Sequence, residues 1–301
     1  MIKSRYEMKY LVTEAQAAML VEYIRPHMRP DHHSPQGSYP LASLYLDSKD
    51  LRLYRESMDG LKNRFKLRIR CYSDDPDALC FFEIKRRMNQ VIIKSRARVP
   101  RPAVAALLNK EVRLSEVSCD AHENLDQYFY YRRQINAEPL FSVRYSRQAF
   151  EGKNNDRVRI TFDRNLRFRL PRVPEPGING SGWVPWHERA VVFEIKFTEA
   201  YPAWIHHLVQ QFTLQAQSVS KYARLITQAY AMHYGDPGQQ LSKTPEVKAG
   251  FLMKWSRQAQ QPDPREPGVP AFPNPRDVSA AGAWLAKAMV GERPALGRSI
   301  S

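Results

Sequence analysis

The run Arg64-Phe65-Lys66-Leu67-Arg68-Ile69-Arg70-Cys71 alternates charged and apolar side chains without a break. A strand sends successive side chains to opposite faces, so Arg64, Lys66, Arg68 and Arg70 share one face. Phe65, Leu67, Ile69 and Cys71 share the other. A cation row alone is more often a solvated sheet face than a site. What shifts the balance here is recurrence, because the same pattern returns on strand after strand with carboxylates joining it.

Eight segments read as strands, at about 5–12, 41–48, 62–73, 79–88, 91–99, 139–150, 156–164 and 190–197. Helical patterns fall at about 13–28, with Thr13 as cap, and at 101–110, 120–134, 202–216 and 218–233. Strands in consecutive hairpins imply an antiparallel sheet. The Pro- and Gly-rich stretch 167–189 reads as a loop or lid. Residues 236–301 hold nine prolines and little periodicity, which predicts a disordered tail with one weak helix near 278–290. The division is a folded domain at 1–235 and a tail at 236–301.

Parity extends the first observation. Glu7 and Lys9 share a face, as do Glu83 and Lys85; Lys94, Arg96 and Arg98; Arg157, Arg159, Thr161 and Asp163; and Glu194 and Lys196. Apolar residues occupy the opposite positions. The sixth segment is less regular, because Arg144 and Arg147 differ in parity. Two architectures fit this α+β pattern. Either an open sheet turns its charged face to water, or an eight-stranded antiparallel β-barrel closes with helices packed outside and the charged rows lining a tunnel. Like charges in rows repel, which is tolerable when a polyanion or internal carboxylates neutralise them.

The chain's 301 residues carry a net charge of +15, which points to a polyanionic partner without choosing among nucleic acid, acidic membrane and phosphate-rich substrate. Three cysteines without metal-ligand spacing suit a reducing cytoplasm. No stretch approaches the length of a membrane span, so any membrane association would run through a partner. Among the carboxylates in the cationic rows, Glu194 is the one expected to bind metal, its strand being otherwise apolar up to Lys196. Glu7 and Glu83 divide evenly between metal ligation and salt bridges. Hard oxygen ligands of this kind suit Mg²⁺ or Mn²⁺ beside substrate phosphates. His32-His33 and His206-His207 read as solvated or partly packed, and Tyr128-Phe129-Tyr130-Tyr131 as helix packing.

Seven short motifs occur in order: Glu7-Met8-Lys9-Tyr10, Ser43-Leu44-Tyr45-Leu46-Asp47-Ser48, Lys66 to Arg70, Phe82-Glu83-Ile84-Lys85, Arg157 to Asp163, Phe193-Glu194-Ile195-Lys196 and Ser220-Lys221-Tyr222. Together they resemble the VTC catalytic domain, the polyphosphate polymerase branch of the CYTH/triphosphate tunnel metalloenzyme superfamily. The resemblance implies a tunnel in which Lys9, Arg68, Arg70, Lys85, Lys94, Arg144 or Arg147, and Arg159 bind phosphates. It places Lys221 with Ser220 near the reacting phosphate, so Lys221, Arg68 and Arg70 are the expected catalytic set. It also puts a divalent Mn²⁺ or Mg²⁺ on Glu194. Arg64 and Lys66 are expected towards the mouth.

The implied reaction moves the γ-phosphate of ATP onto a polyphosphate chain. ATP, triphosphate and polyphosphate are then the partners in place of nucleic acid, and a separate membrane protein would move the product. Eukaryotic relatives carry a phosphate-sensing domain and transmembrane helices that these residues do not contain. Arg5 stands where many superfamily hydrolases have a first glutamate, which favours the polymerase branch. Hydrolysis of triphosphate or a nucleoside triphosphate remains the enzymatic alternative, and a non-catalytic polyanion-binding module the third.

Overall fold

A computed structural model describes residues 5–34, 37–89, 91–153, 158–171, 175–198 and 202–234. The elements follow as β1 (Arg5–Val12), α1 (Glu14–Ile24), β2 (Met28–Pro30), β3 (Tyr39–Asp47), α2 (Arg52–Met58), β4 (Asn63–Cys71), β5 (Leu79–Met88) and β6 (Val91–Pro100). After these come α3 (Ala103–Asn109), α4 (His122–Gln134), β7 (Glu138–Gly152), β8 (Arg159–Arg169), β9 (Val184–Pro185), β10 (Val191–Thr198), α5 (Ala203–Gln211) and α6 (Lys221–Tyr234). The expected tail and its helix near 278–290 lie outside the described residues, as does Arg157.

The strands form one ten-stranded sheet in the order β1-β10-β8-β7-β3-β4-β5-β6, with β2 added to β7 and β9 to β8. Every pairing is antiparallel. The two short strands β2 and β9 were not expected from sequence, since two or three residues carry no period.

The outward apolar rows explain which face turns in. Leu67, Ile69, Phe82, Ile84, Ala97 and Val99 pack with Val104, Leu107, Leu125 and Tyr128 of α3 and α4. Tyr10, Phe162, Phe193 and Ile195 pack with Leu20 and Ile24 of α1 and Ile205 and Leu208 of α5. Each such side chain is worth about 1.5–3 kcal/mol when fully buried. A one-residue slip would turn the whole row to water, so helices covering the outside hold the cations inside.

One end of the curled sheet is filled instead. Phe141, Val143 and Tyr145 of β7 and Leu166 and Phe168 of β8 meet Tyr222, Leu225, Ile226 and Tyr230 of α6. Asn165, with φ 53°, is a bulge that resets the parity of β8. Asp163 faces inward before it, and Leu166 and Phe168 do so after it.

The sheet does not close as a barrel, which corrects the closed eight-stranded expectation. β1 and β6 remain the two ends of the ladder, although their Cα atoms come within 8 Å. The reason is visible at β1, whose Lys9 carbonyl accepts from the Gln217 amide at 2.9 Å. The segment leading into α6 thus occupies the edge that β6 would need. Lys85 Nζ then crosses the seam to Glu7 Oε2 at 2.7 Å, so a side-chain contact stands where a ladder would be.

The loop read as a lid is also placed elsewhere. Asp74 accepts from the amides of Ile178 and Asn179 at 2.8 and 2.7 Å, and Arg144 and Arg169 lie over Trp183 at 5.1 and 4.3 Å. These contacts hold it against the outer side of β7 and β8. Gly180, at φ +90°, passes so close that a Cβ would sit 3.0 Å from Arg169.

Helix α2 is absent from the sequence expectation for a physical reason. Its N-cap, Leu51, is left-handed and offers no side-chain cap. The cap comes from Asp47, whose buried carboxylate accepts from the amides of Ser48, Leu53 and Tyr54 at 2.7–3.0 Å. Tyr222 of α6 donates to the same group at 2.7 Å. Burial, partly offset by these donors, raises its pKa. Asp47→Ala should therefore loosen α2 and α6 together and cost about 3 kcal/mol in urea unfolding, the loss of a charged hydrogen bond plus a cap. A loss under about 1 kcal/mol would contradict this role.

Candidate functional site

The inward rows enclose a cavity of about 870 Å³. Eleven cationic side chains line it: Lys9, Lys66, Arg68, Arg70, Lys85, Lys94, Arg96, Arg147, Arg159, Lys196 and Lys221. Four carboxylates stand among them, in two groups.

The first group is Glu83 alone, fully buried on β5. Arg68 grips Oε2 through Nε and a terminal nitrogen, both at 2.7 Å. Lys94 and Arg96 reach Oε1, each at 2.6 Å. Burial acts to raise its pKa, but Arg68, Arg70, Lys94 and Arg96 hold it well below the carboxylate range. These contacts join β4, β5 and β6, which fits their neighbouring positions in the sheet.

The second group joins β1, β10, β8 and α6. Glu194 binds Lys196 and Lys221, both at 2.8 Å, with Lys9 at 3.6 Å and Arg147 at 4.0 Å. Asp163 takes Arg147 through two bonds of 2.7 Å and Lys221 at 2.7 Å. Glu7 holds Lys85 at 2.7 Å and Lys9 at 3.4 Å. Burial opposes ionisation at all three, yet the surrounding lysines and Arg147 leave each pKa lowered. Lys221 is raised despite its burial, because Asp163 and Glu194 stabilise its charge.

Two cations lie between the groups without a carboxylate of their own. Lys66 Nζ donates to Ser220 Oγ at 2.6 Å. Its pKa is well below that of a free lysine, through burial and then the charges of Lys9, Lys85, Arg64 and Arg68. Arg70, 5% exposed, donates to Ser43 Oγ at 3.2 Å and Tyr145 Oη at 3.4 Å, and its charge reaches Tyr72 and Glu83. Among the described residues neither Lys66 nor Arg70 has a carboxylate within ion-pair distance.

The structure thus brings together Lys9, Arg68, Arg70, Lys85, Lys94, Arg147, Ser220, Lys221 and Glu194. Arg159 also lines the cavity, but it is tied to Asp31, and to Glu151 at 2.9 Å. Arg144 is not with them. Its parity sends it outward, where it donates to the Ile178 carbonyl at 2.7 Å. Lys66 lines the cavity and also stands with Arg64 and Arg87 at its cationic end. Lys196 and Arg96 join the site although they were not singled out. Their parity with Glu194 and Lys94 was the available signal.

The oxygen donors suit a hard divalent cation at Glu194. Thr161 stands opposite Glu194 in the ladder, and its buried hydroxyl has no partner. Glu194, Asp163 and Thr161 would hold such an ion, with phosphate oxygens completing its shell. Lys196 or Lys221 would then yield its place on the carboxylate. A second group, Asp31, His32 and His33, gathers three potential ligand atoms within 4.8 Å at the rim, with Asp31 already committed to Arg159.

An antiparallel sheet curled around a cationic lumen with paired carboxylates defines a polyanion-binding tunnel. The family model for the VTC domain matches residues 4–230, and the chain belongs to that family. Its members are enzymes that act on phosphates, bind nucleoside triphosphates and phosphate polymers, and generally depend on a divalent metal. No curated protein matches the chain.

Two solved structures are similar at low identity. A Bacillus halodurans protein, described as a candidate adenylate cyclase, shares 12% identity over 72% of this chain and 94% of its own, with a TM-score of 0.43. A Pyrococcus horikoshii OT3 protein shares 11% over 74% of this chain and 98% of its own, with a TM-score of 0.40.

Removing the Glu83 charge would leave Arg68, Lys94 and Arg96 facing one another. Glu83→Gln should cost about 3–5 kcal/mol of unfolding free energy, as expected for one partner of a buried ion pair. Urea denaturation measures it, and a loss below about 1 kcal/mol would show that the three cations do not depend on this carboxylate.

Proposed function

We propose that this chain is an ATP-dependent polyphosphate polymerase, transferring the γ-phosphate of ATP to the end of a phosphate chain within the lumen. The observation that carries the reading is the pair Lys66 and Arg70. Lys66, half-buried, has no carboxylate within ion-pair distance among the described residues, and Arg70 shares Glu83 with Arg68, Lys94 and Arg96. Cations that outnumber their carboxylates in this way are costly, and a run of phosphates threaded between the Glu83 and Glu194 groups would balance them. Arg68, Arg70, Arg147 and Lys94 would grip the phosphate oxygens, with arginines acting bidentately and lysines as point charges.

The carboxylates favour transfer over hydrolysis. A carboxylate serving as general base for water works best with a pKa near the working pH, and Glu7, Glu83, Asp163 and Glu194 are all held below the ordinary range. A terminal phosphate oxygen of the acceptor chain is already anionic and needs no base. It forms the new O–P bond to the γ-phosphorus as the bond to the bridging oxygen breaks, and the electron pair leaves on ADP. Lys221 and Arg70 would stabilise charge on the transferring group. A divalent Mg²⁺ or Mn²⁺ on Glu194 would supply further charge neutralisation when bound. No described helix is long and apolar enough to cross a membrane; in this reading a separate membrane protein would move product across one.

Two tests follow. Glu194→Gln removes a negative charge, so inorganic triphosphate should bind as tightly as before or more so, while turnover of ATP falls at least about a hundredfold. Undiminished turnover would remove Glu194 from the reaction. The second test concerns pH. Burial brings Lys85 down to about 8, against the pull of Glu7. A lysine lowered in this way is charged below that pH and neutral above it. Burial brings Lys94, another phosphate ligand in this reading, down to about 7, so it loses its charge over the same range. Triphosphate affinity should therefore fall by at least about tenfold between pH 7 and pH 9. A flat profile in calorimetry would contradict the contact.

A further inference from the structure

The lumen changes chemistry from end to end. The inward positions of β4 read Arg64, Lys66, Arg68 and Arg70, and Tyr72 continues them; those of β5 return as Phe81, Glu83, Lys85 and Arg87. One end is therefore cationic and the other aromatic. At the aromatic end His33 lies 6.4 Å from Tyr39, Tyr39 lies 6.0 Å from Tyr72, and Phe81 meets Tyr72 edge-on at 5.5 Å. All four rings line the cavity. Tyr39, Tyr72 and Phe81 are half-buried, so each keeps surface towards the opening.

Packing accounts for only part of this arc. Tyr39 and Tyr72 rest against the core beneath α6. Phe81 belongs to none of the three cores. Arg96 lies over its ring at 4.6 Å, and that guanidinium is fixed by Glu83 at 2.7 Å. A phosphate chain has no use for aromatic rings, whereas a nucleobase stacks on them whatever its sequence identity.

We infer that the mouth formed by His33, Tyr39, Tyr72 and Phe81 holds the nucleobase of a nucleoside triphosphate. This deepens the polymerase reading and rests on its triphosphate site. It gives the tunnel a direction. The donor enters base-outward at the aromatic end with its triphosphate running inward towards Lys221. The acceptor chain takes the opposite mouth, where Arg64, Lys66, Lys85 and Arg87 meet the segment 216–220.

Calorimetry on the full chain with ATP and with inorganic triphosphate tests it through the ratio of the two affinities. Phe81→Leu, which keeps apolar bulk, and Tyr39→Leu should each shift that ratio against ATP by about tenfold, the loss of one stacking partner. Arg87→Ala, at the opposite mouth, should leave the ratio alone. Triphosphate binding with a ratio unmoved by Phe81→Leu and Tyr39→Leu, or moved as much by Arg87→Ala, overturns the base site alone. Failure of the unaltered protein to bind triphosphate removes the parent reading and this one with it.

Discussion

Like charges packed into a lumen repel, and the structure depends on how that repulsion is managed. Eleven cations face the cavity, and four carboxylates hold most of them in fixed positions. Glu83 gathers cations of β4 and β6, and Glu194, Asp163 and Glu7 gather those of β1, β5, β7, β10 and α6. Buried ion pairs of this kind add little net stability over apolar packing. What they supply here is geometry, with each guanidinium and ammonium held at a set place around an open centre.

That arrangement links the fold to the chemistry. The outer apolar rows, under α1, α3, α4 and α5, contribute the hydrophobic free energy and turn the charged rows inward. The segment 216–220 occupies the edge of β1, so the sheet stays open as a ladder while Lys85–Glu7 bridges the seam. The same segment delivers Ser220 to Lys66 and Lys221 to Asp163 and Glu194. The chain that prevents closure thus also completes the site. Lys66, with no carboxylate at ion-pair distance among the described residues, and Arg70, which shares Glu83 with three other cations, remain to take an anion from outside.

Much of this was legible in residue parity. Alternation at 64–71 identified Arg68 and Arg70 as inward, and the same rule applied to Glu7, Lys9, Glu83, Lys85 and Glu194. Parity failed where the backbone departs from a regular strand. The bulge at Asn165 inverts the faces of β8 beyond Asp163, and the choice between Arg144 and Arg147 needed the observed register. Helix α2 was hidden because its cap, Asp47, lies four residues before the left-handed Leu51 and is shared with Tyr222. Ladder closure depends on where residues 216–220 run, a long-range contact that no local pattern encodes. Arg159 was correctly read as inward, but its capture by Asp31 comes from a rim turn with no sequence signal of its own.

The central claim is that the lumen is electrostatically incomplete until a phosphate chain occupies it. Thermal unfolding of the protein in inorganic triphosphate, set against sodium chloride of the same ionic strength, tests this most directly. Triphosphate at about a hundred times its dissociation constant should add about 2.7 kcal/mol to the folded state. At about 2–4 °C per kcal/mol for a domain of this size, the midpoint should rise by about 5–10 °C. An unchanged midpoint, or the same rise in chloride, would contradict the account.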